Sequence, residues 1–396
     1  MSEMFRRAAI LGLLSAVGPF AIDMYLPAMP AIAEDLASTI AGTQTTLIAF
    51  FLCFGLAQLV YGPWADSAGR KLPLYFGLGV YLLASVWAAL APDITNLTAA
   101  RAMQGLGAAA VMVIPRAIIR DWSTGTEATR LMAMVMLVIS VSPMLAPLAG
   151  SMVILVADWR AIFWVMAVAG AVSLTVTALV LPETLTPARR RPIAPARLLA
   201  DTGYLLRHRG FMVLTFVGAF GMASFFVFIA SASFVYTGEF GLSPTGFSLA
   251  FAINAAGFFT GSQLASNAGN RWGMGRVVRG ATTGFAASTV LLLGLALAGL
   301  APLPVIVGLL VAGNFCLGFV IPSVMVMALD DQGEIAGLAS SLGGTLQMVT
   351  GGAMVAVAGP FFDGTAVPMI AVIALCGVLS AGLTRLVPVQ AATVAT

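Results

Sequence analysis

Apolar runs of roughly 20 residues recur along the whole chain, separated by short polar turns, and nothing else in the sequence narrows the possible folds so far. Twenty helical residues rise about 30 Å, the thickness of a bilayer's hydrocarbon core. Inside lipid only helices and closed barrels satisfy their own backbone polar groups. The alternating pattern of barrel strands is absent, so the runs read as helices. Only 9% of the 396 residues are charged and 60% are hydrophobic, whereas about a quarter of a globular chain is charged. The chain is an integral membrane protein.

The expected spans cover residues 8–30, 45–64, 73–90, 97 to about 116, 131–156 and 161–181, then 211–236, 247–267, 277–300, 305–328, 335–358 and 367–387. The first follows Arg6 and Arg7 as a signal peptide would, but it is too long and runs on through Pro27 and Pro30, so it reads as a retained helix. The longest polar stretch holds Arg189, Arg190, Arg191, Arg197, Arg207 and Arg209 and divides the chain near its middle. It predicts an amino-terminal bundle over 1–182, a basic linker over 183–210 and a carboxy-terminal bundle over 211–396, with six spans on each side.

With the amino terminus in the cytoplasm, Arg6, Arg7, Arg70, Lys71, Arg120, Arg130, the linker arginines, Arg271, Arg276, Arg279 and Arg385 all face that side, and only Arg160 stands in an outer loop. Both termini are then cytoplasmic, and the expected location is the inner (plasma) membrane. The excess of 19 Lys and Arg over 16 Asp and Glu thus reports topology, not nucleic-acid binding. Cys53, Cys316 and Cys376 lie in apolar runs without metal-ligand spacing and read as core residues. His208 is the one histidine and no phosphate-binding Gly-Lys-Ser/Thr loop is present, so neither enzyme chemistry nor ATP drive is expected.

Four constellations stand out. The first is the charged stretch 62–71 between spans two and three, where Gly62 and Gly69 supply backbone freedom, Asp66 can bond helix ends, and Arg70 and Lys71 anchor the turn. The second is Asp23 in span one; an acid at helix centre costs roughly 2.5–3.5 kcal/mol on insertion scales, so it is more often functional than incidental. Burial and a nearby cation act oppositely on such an acid, which lets a change of conformation load and unload a proton. Hydration near the outer interface is the plainer reading. The third is Arg101 with Gln104, Gly105 and Gly107 in span four, at a depth that makes Arg101 the natural counter-ion of Asp23; simple snorkelling is its plainer role. The fourth is 142–150 in span five, where Pro143, Pro147 and small residues allow close approach and a bend. Arg116, Arg120 and Asp121 read as a cytoplasmic cap network.

For ligand contact, Tyr25, Gln58, Asn254 and Asn314 are polar groups inside spans that serve either a ligand or a neighbouring helix. Aromatic and Met clusters, including Phe225, Phe226, Phe228, Phe258 and Phe259, line a deformable pocket or simply pack. Asp330, Asp331 and Glu334 suit the amino-terminal end of span eleven.

The turn Gly62-x-x-x-Asp66-x-x-Gly69-Arg70-Lys71 resembles the loop between spans two and three of major facilitator transporters, with Ser67 where many members carry another Arg. Its Asp66-x-x-Gly69 is echoed by Asn270-Arg271-Trp272-Gly273, an offset of 204 (270 − 66), as in a parallel repeat of six spans. Arg101-x-x-Gln104-Gly105-x-Gly107 resembles the family's span-four motif. Stretch 142–150 resembles the span-five motif of its antiporters, with Ala146 and Ala149 in place of glycines. Together with 22–27 and Pro182-Glu183-Thr184, these look like the Bcr/CflA subfamily of drug:proton antiporters. The resemblance implies an all-α membrane fold of twelve transmembrane helices in two six-helix bundles and alternating access. It also implies export of a small amphipathic drug, phenicol or multidrug in type, driven by the proton gradient without a cofactor or metal, by a monomer in the bilayer. A metabolite importer of the same fold and a membrane receptor are the competing classes.

Overall fold

The structure, a computed structural model, describes residues 3–190 and 192–386, apart from the side chain of Glu334. Arg191, Val387 at the end of the expected twelfth span, and the carboxylate of Glu334 lie outside what is described. The α-helices are α1 Glu3–Asp23, α2 Met29–Asp35, α3 Ile40–Ala68, α4 Lys71–Ala89, α5 Ile94–Trp122, α6 Gly125–Val156 and α7 Arg160–Leu179, then α8 Pro195–Arg207, α9 Arg209–Phe234, α10 Pro244–Trp272, α11 Met274–Leu297, α12 Leu303–Asp330, α13 Ala336–Ala358 and α14 Ala366–Thr384. Their starts follow capping chemistry. The side chains of Thr39, Asp93, His208 and Ser243 accept from Gly42, Asn96, Phe211 and Gly246 N–H groups, each satisfying one orphan donor of a first turn.

Eleven helical segments among the described residues are long and apolar enough to cross a membrane, which makes this a multi-pass membrane protein. The expected eighth span lies in α10, which at 29 residues has ample length. Asn254, Thr260, Ser262, Gln263 and Asn267 dilute its apolar content. Its packing on α12 and α11 supplies the place in the bundle that composition alone understates.

Two expectations are corrected. Span one is not continuous to residue 30: α1 ends at Asp23, a 3₁₀ turn follows over Leu26–Ala28, and α2 resumes at Met29. Pro27 and Pro30 each lack the N–H that a continuing helix needs. The turn expected over 62–71 is helical through Ala68 and shrinks to Gly69 and Arg70, so Gly62 needs no special backbone freedom. Gly69, at φ 98°, does. Within the expected linker, α8 occupies 195–207.

The chain forms two compact units, one through Ala196 and one from Arg197. In the first, α3 and α4 pack on α5, α4 on α7, and α1 on α6; in the second, α10 and α11 pack on α12, α11 on α14, and α9 on α13. The same six-helix arrangement is thus built twice. An acid completes each copy. Asp35 Oδ2 accepts from Trp159 Nε1 (3.0 Å) and Arg160 Nη1 (2.7 Å) at the start of α7. Glu239 Oε2, 204 residues on (239 − 35), accepts from the Ala366 N–H (2.6 Å) that opens α14. Arg160, expected in an outer loop, therefore has a partner, and is stacked in addition on Trp159 at 4.2 Å.

Helices cross where glycine removes the side chain. A Cβ on Gly105 of α5 would collide with the Phe50 carbonyl of α3, and one on Gly107 would lie 2.5 Å from the Gly77 carbonyl oxygen of α4. Gly261 and Gly318 do the same for α10 and α12, against Phe315 and Phe258. Backbones this close supply dispersion that lipid cannot replace. Gly105→Val is expected to force α3 from α5, at a cost of about 3 kcal/mol or more, and to appear as loss of the monodisperse peak in detergent size-exclusion chromatography.

Candidate functional site

The most polar buried point of the first unit is Arg101, wholly enclosed in α5. Its Nη1 donates to the Ala21 carbonyl oxygen (2.9 Å) near the end of α1, and also to Gln104 Oε1. Gln104 is in turn fixed by donating from Nε2 to Ser85 Oγ of α4 at 2.8 Å. The guanidinium carbon lies 4.7 Å from the ring centroid of Tyr25, 4.5 Å from Phe50 and 6.0 Å from Phe163. Cation–π attraction of this kind contributes about 2 kcal/mol or more once water is excluded. Tyr25 is itself held: Thr46 Oγ1 donates to the Thr43 carbonyl (2.6 Å), which leaves the Tyr25 hydroxyl as donor to Thr46 at 2.8 Å. Arg101 Nε and Nη2 are buried without a partner.

Asp23 is buried as the last residue of α1. It makes no ion pair with Arg101, which bonds instead the carbonyl two residues earlier on the same helix. The expected counter-ions are thus neighbours along α1 that are not joined. Close packing brackets this point: a Cβ on Gly150 of α6 would run into the Met24 carbonyl. The small residue of the span-five stretch therefore seats α6 against the helix break beside Asp23. Pro143 and Pro147 lie inside the unbroken helix α6.

At the α3–α4 end of the same unit a second network forms. Arg70, 5% exposed, donates from Nε to Asp121 Oδ2 (2.8 Å), from Nη2 to Asp121 Oδ1 (3.2 Å) and from Nη1 to Asp66 Oδ1 (2.5 Å). Thr184 Oγ1 donates to Asp121 at 2.9 Å. Glu183 accepts the backbone N–H groups of Arg70 (2.9 Å), Lys71 (3.1 Å) and Leu185 (3.0 Å), which places a carboxylate on the amino-terminal end of α4. Lys71 reaches the Ala178 carbonyl at 3.4 Å and the Tyr75 ring. Gly69 has no room for a side chain, since a Cβ would lie 2.6 Å from Glu183 Oε2. Asp121, expected with Arg116 and Arg120, pairs with Arg70 instead.

Burial works to raise the Glu183 carboxyl, but the N–H groups of Leu185, Arg70 and Lys71 outweigh it and hold the group below the ordinary carboxylate value. A carboxyl depressed on folding stabilises the protein above its unfolded pKa, and that contribution is lost as pH falls through the folded one. Glu183→Gln is expected to flatten the loss of thermal stability below about pH 4.5. Thermal unfolding of wild type and variant from pH 7 to 3.5 tests this.

In the second unit, Asn314 Nδ2 of α12 donates to Asn254 Oδ1 of α10 at 3.3 Å, and Asn254 Nδ2 to the Ala250 carbonyl at 3.0 Å. This pair bonds helix to helix. Phe226 packs where a side chain on Gly351 would stand, and Phe258 is half-buried with its carbonyl against Gly318. Phe228 of α9 and Tyr236 just after it form a continuous ring cluster with Phe247 and Phe251 of α10, the helix that carries Asn254. Gly273 repeats the left-handed turn of Gly69 with φ 84°, but no side chain crowds it.

Sequence reasoning missed Ser85, Thr46, Phe50 and Phe163 around Arg101, and Asp35 as the partner of Arg160. A lone Ser within the apolar run of α4 is the only signal that pointed to any of them. Glu183 and Thr184 belonged to a recognised stretch, but their bonds to Arg70, Lys71 and Asp121 span more than 60 residues and leave no periodic trace.

A model of the Major Facilitator Superfamily matches residues 11–356. The chain is 34% identical to an uncharacterized MFS-type transporter, YdgK, of Bacillus subtilis over 97% of its length and 96% of the relative's. It is 29% identical to a bicyclomycin resistance protein homolog of Haemophilus influenzae, covering 93% of each, and 31% identical to a chloramphenicol resistance protein of Pseudomonas aeruginosa over 67% of this chain and 62% of that one. Among solved structures, a D-xylose-proton symporter superposes with a TM-score of 0.73 at 15% identity, covering 98% of both chains.

Proposed function

Because the chain belongs to the Major Facilitator Superfamily, we propose that it exports small amphipathic drugs, of phenicol or multidrug type, in exchange for protons across the inner membrane. Alternating access of two six-helix bundles carries the exchange, both termini stand in the cytoplasm, the working unit is a monomer, and the proton gradient drives it without a cofactor. The observation that carries this reading is the buried acid Asp23 beside, but not paired with, the ring-caged Arg101, in a chain whose relatives are named for bicyclomycin and chloramphenicol resistance.

Asp23 is the proton carrier. While protonated, Asp23 is neutral and adds no charge at that end of α1. On losing its proton it becomes an anion that a turn of the Arg101 side chain reaches, because Arg101 already holds the Ala21 carbonyl. Gln104 and Ser85 position the guanidinium, and Tyr25 and Phe50 limit its swing. Loading and unloading of the proton therefore rearranges contacts between α1 and α5, the sort of two-state element that transport needs. Tyr25, Asn254, Phe226 and Phe258 contribute to the drug-binding surface. The Arg70–Asp121–Glu183 network, with Gly69 and Lys71, stabilises one gating state from the cytoplasmic end.

Energised inside-out vesicles carrying a pH-sensitive dye test the exchange directly. A phenicol or lipophilic cation is expected to collapse part of the proton gradient, while sugars leave it unchanged. A response to sugars alone assigns the chain to metabolite uptake.

A further inference from the structure

The helix α8 carries more apolar surface than its own unit covers. It reads Pro-Ala-Arg-Leu-Leu-Ala-Asp-Thr-Gly-Tyr-Leu-Leu-Arg over 195–207. At 100° per residue, Leu198 and Leu205 share one stripe and Leu199 and Leu206 a second, about a quarter-turn away. The first stripe packs inward, with Leu205 fully buried. The second does not: Leu199 is 73% and Leu206 46% exposed. The remaining arc carries Arg197, Ala200, Tyr204 and Arg207.

The position of α8 limits what covers this second stripe. Only His208 separates it from Arg209, where α9 begins, and His208 is fixed as the cap of α9 by accepting the Phe211 N–H at 3.1 Å. Since α9 is one of the membrane-crossing segments, the end of α8 stands at the membrane surface. Its charge is one-sided. Over residues 195–209 the sequence sets Arg197, Arg207 and Arg209 against one acid, Asp201, which lies 3.7 Å from Arg197. A helix with an exposed leucine stripe, arginines on the opposite arc and an end at the interface has the composition of an element that lies in the bilayer plane. We propose that α8 is such an anchor: Leu199 and Leu206 enter the boundary between headgroups and acyl chains, and Arg207 and Arg209 take the phosphates of anionic lipids. Lysine or arginine held near an anionic surface is attracted to it, so the arginines select membranes by charge while the leucines set the depth. The anchor does not depend on the transported substrate.

The test is spin-label accessibility on the full chain, with Cys53, Cys316 and Cys376 replaced by alanine and single cysteines placed at 199, 200, 204 and 206. The protein is reconstituted in liposomes of phosphatidylcholine alone or with phosphatidylglycerol. In the mixed liposomes, labels at 199 and 206 are expected to show a several-fold higher ratio of oxygen to nickel-chelate accessibility than labels at 200 and 204. That contrast should shrink in phosphatidylcholine alone and on Arg207→Glu. High nickel access at all four positions overturns the anchor. Low access to both reagents at 199 and 206 also overturns it, because protein then covers the stripe, whether a second copy or another part of this chain. A contrast that is the same in both lipid mixtures overturns the role given to anionic headgroups.

Discussion

Vesicles carrying Asp23→Asn are expected to hold their proton gradient when drug is added, where wild-type vesicles lose part of theirs. The substitution keeps the shape of the side chain and removes only its ability to release a proton. Stability should scarcely change, because Asp23 bonds no partner that the variant would orphan, so the amount of inserted, monodisperse protein serves as the internal control. Drug binding to the purified variant should persist, since the loss falls on coupling and not on recognition. Wild-type gradient collapse in Asp23→Asn would place the coupling acid elsewhere, and no other acid described in the first unit is both buried and unbonded. Arg101→Lys tests the partner. Lysine keeps the charge but cannot donate to Ala21 and Gln104 from one rigid fork while stacking on Tyr25 and Phe50. It is expected to shift the pH at which exchange runs fastest without removing binding.

Arg70→Leu is expected to give the largest loss of stability among the charged positions. Asp121 is 7% exposed and receives two bonds from Arg70, so the variant leaves a buried carboxylate with the Thr184 hydroxyl as its hydrogen bond and the more distant charge of Arg189. Removing one member of such a pair costs about 3–5 kcal/mol, a fall in unfolding temperature on the order of 10 °C for a unit of this size. Asp66 adds little to this total because it is 53% exposed. The double variant Arg70→Leu with Asp121→Leu should recover most of the loss, since no charge is then stranded, and a cycle of the four proteins in detergent melting experiments measures the coupling. A double variant as unstable as the single would show that shape at the α3–α4 turn, not the buried pair, holds that end of the bundle. Transport and stability should part company here. The recovered double variant is expected to stay defective in exchange, because the network that favours one gating state is gone.

Sequence alone was enough for the class of the protein and the twofold build, and the reason is physical. Membrane insertion is decided by length and apolar content, both of which are local, and a repeated bundle leaves repeated marks such as Asp66-x-x-Gly69 and Asn270-x-x-Gly273. It also marked Asp23, Arg101 and Gln104, because a charge or amide inside an apolar run is costly enough to stand out. What those groups bond was decided only by tertiary structure. Arg101 turned to Ala21, Gln104 and three rings and left Asp23 unpaired; Asp121 took Arg70 and not Arg116; Asp35 took Arg160 across 125 residues. The break after Asp23 follows from Pro27 and Pro30, and Gly150 of α6 packs against it at Met24. A hydrogen bond needs atoms within about 3 Å and correctly aimed, and no spacing in the chain encodes such a distance between helices far apart in sequence. Local chemistry chose the helices; their packing chose the partners.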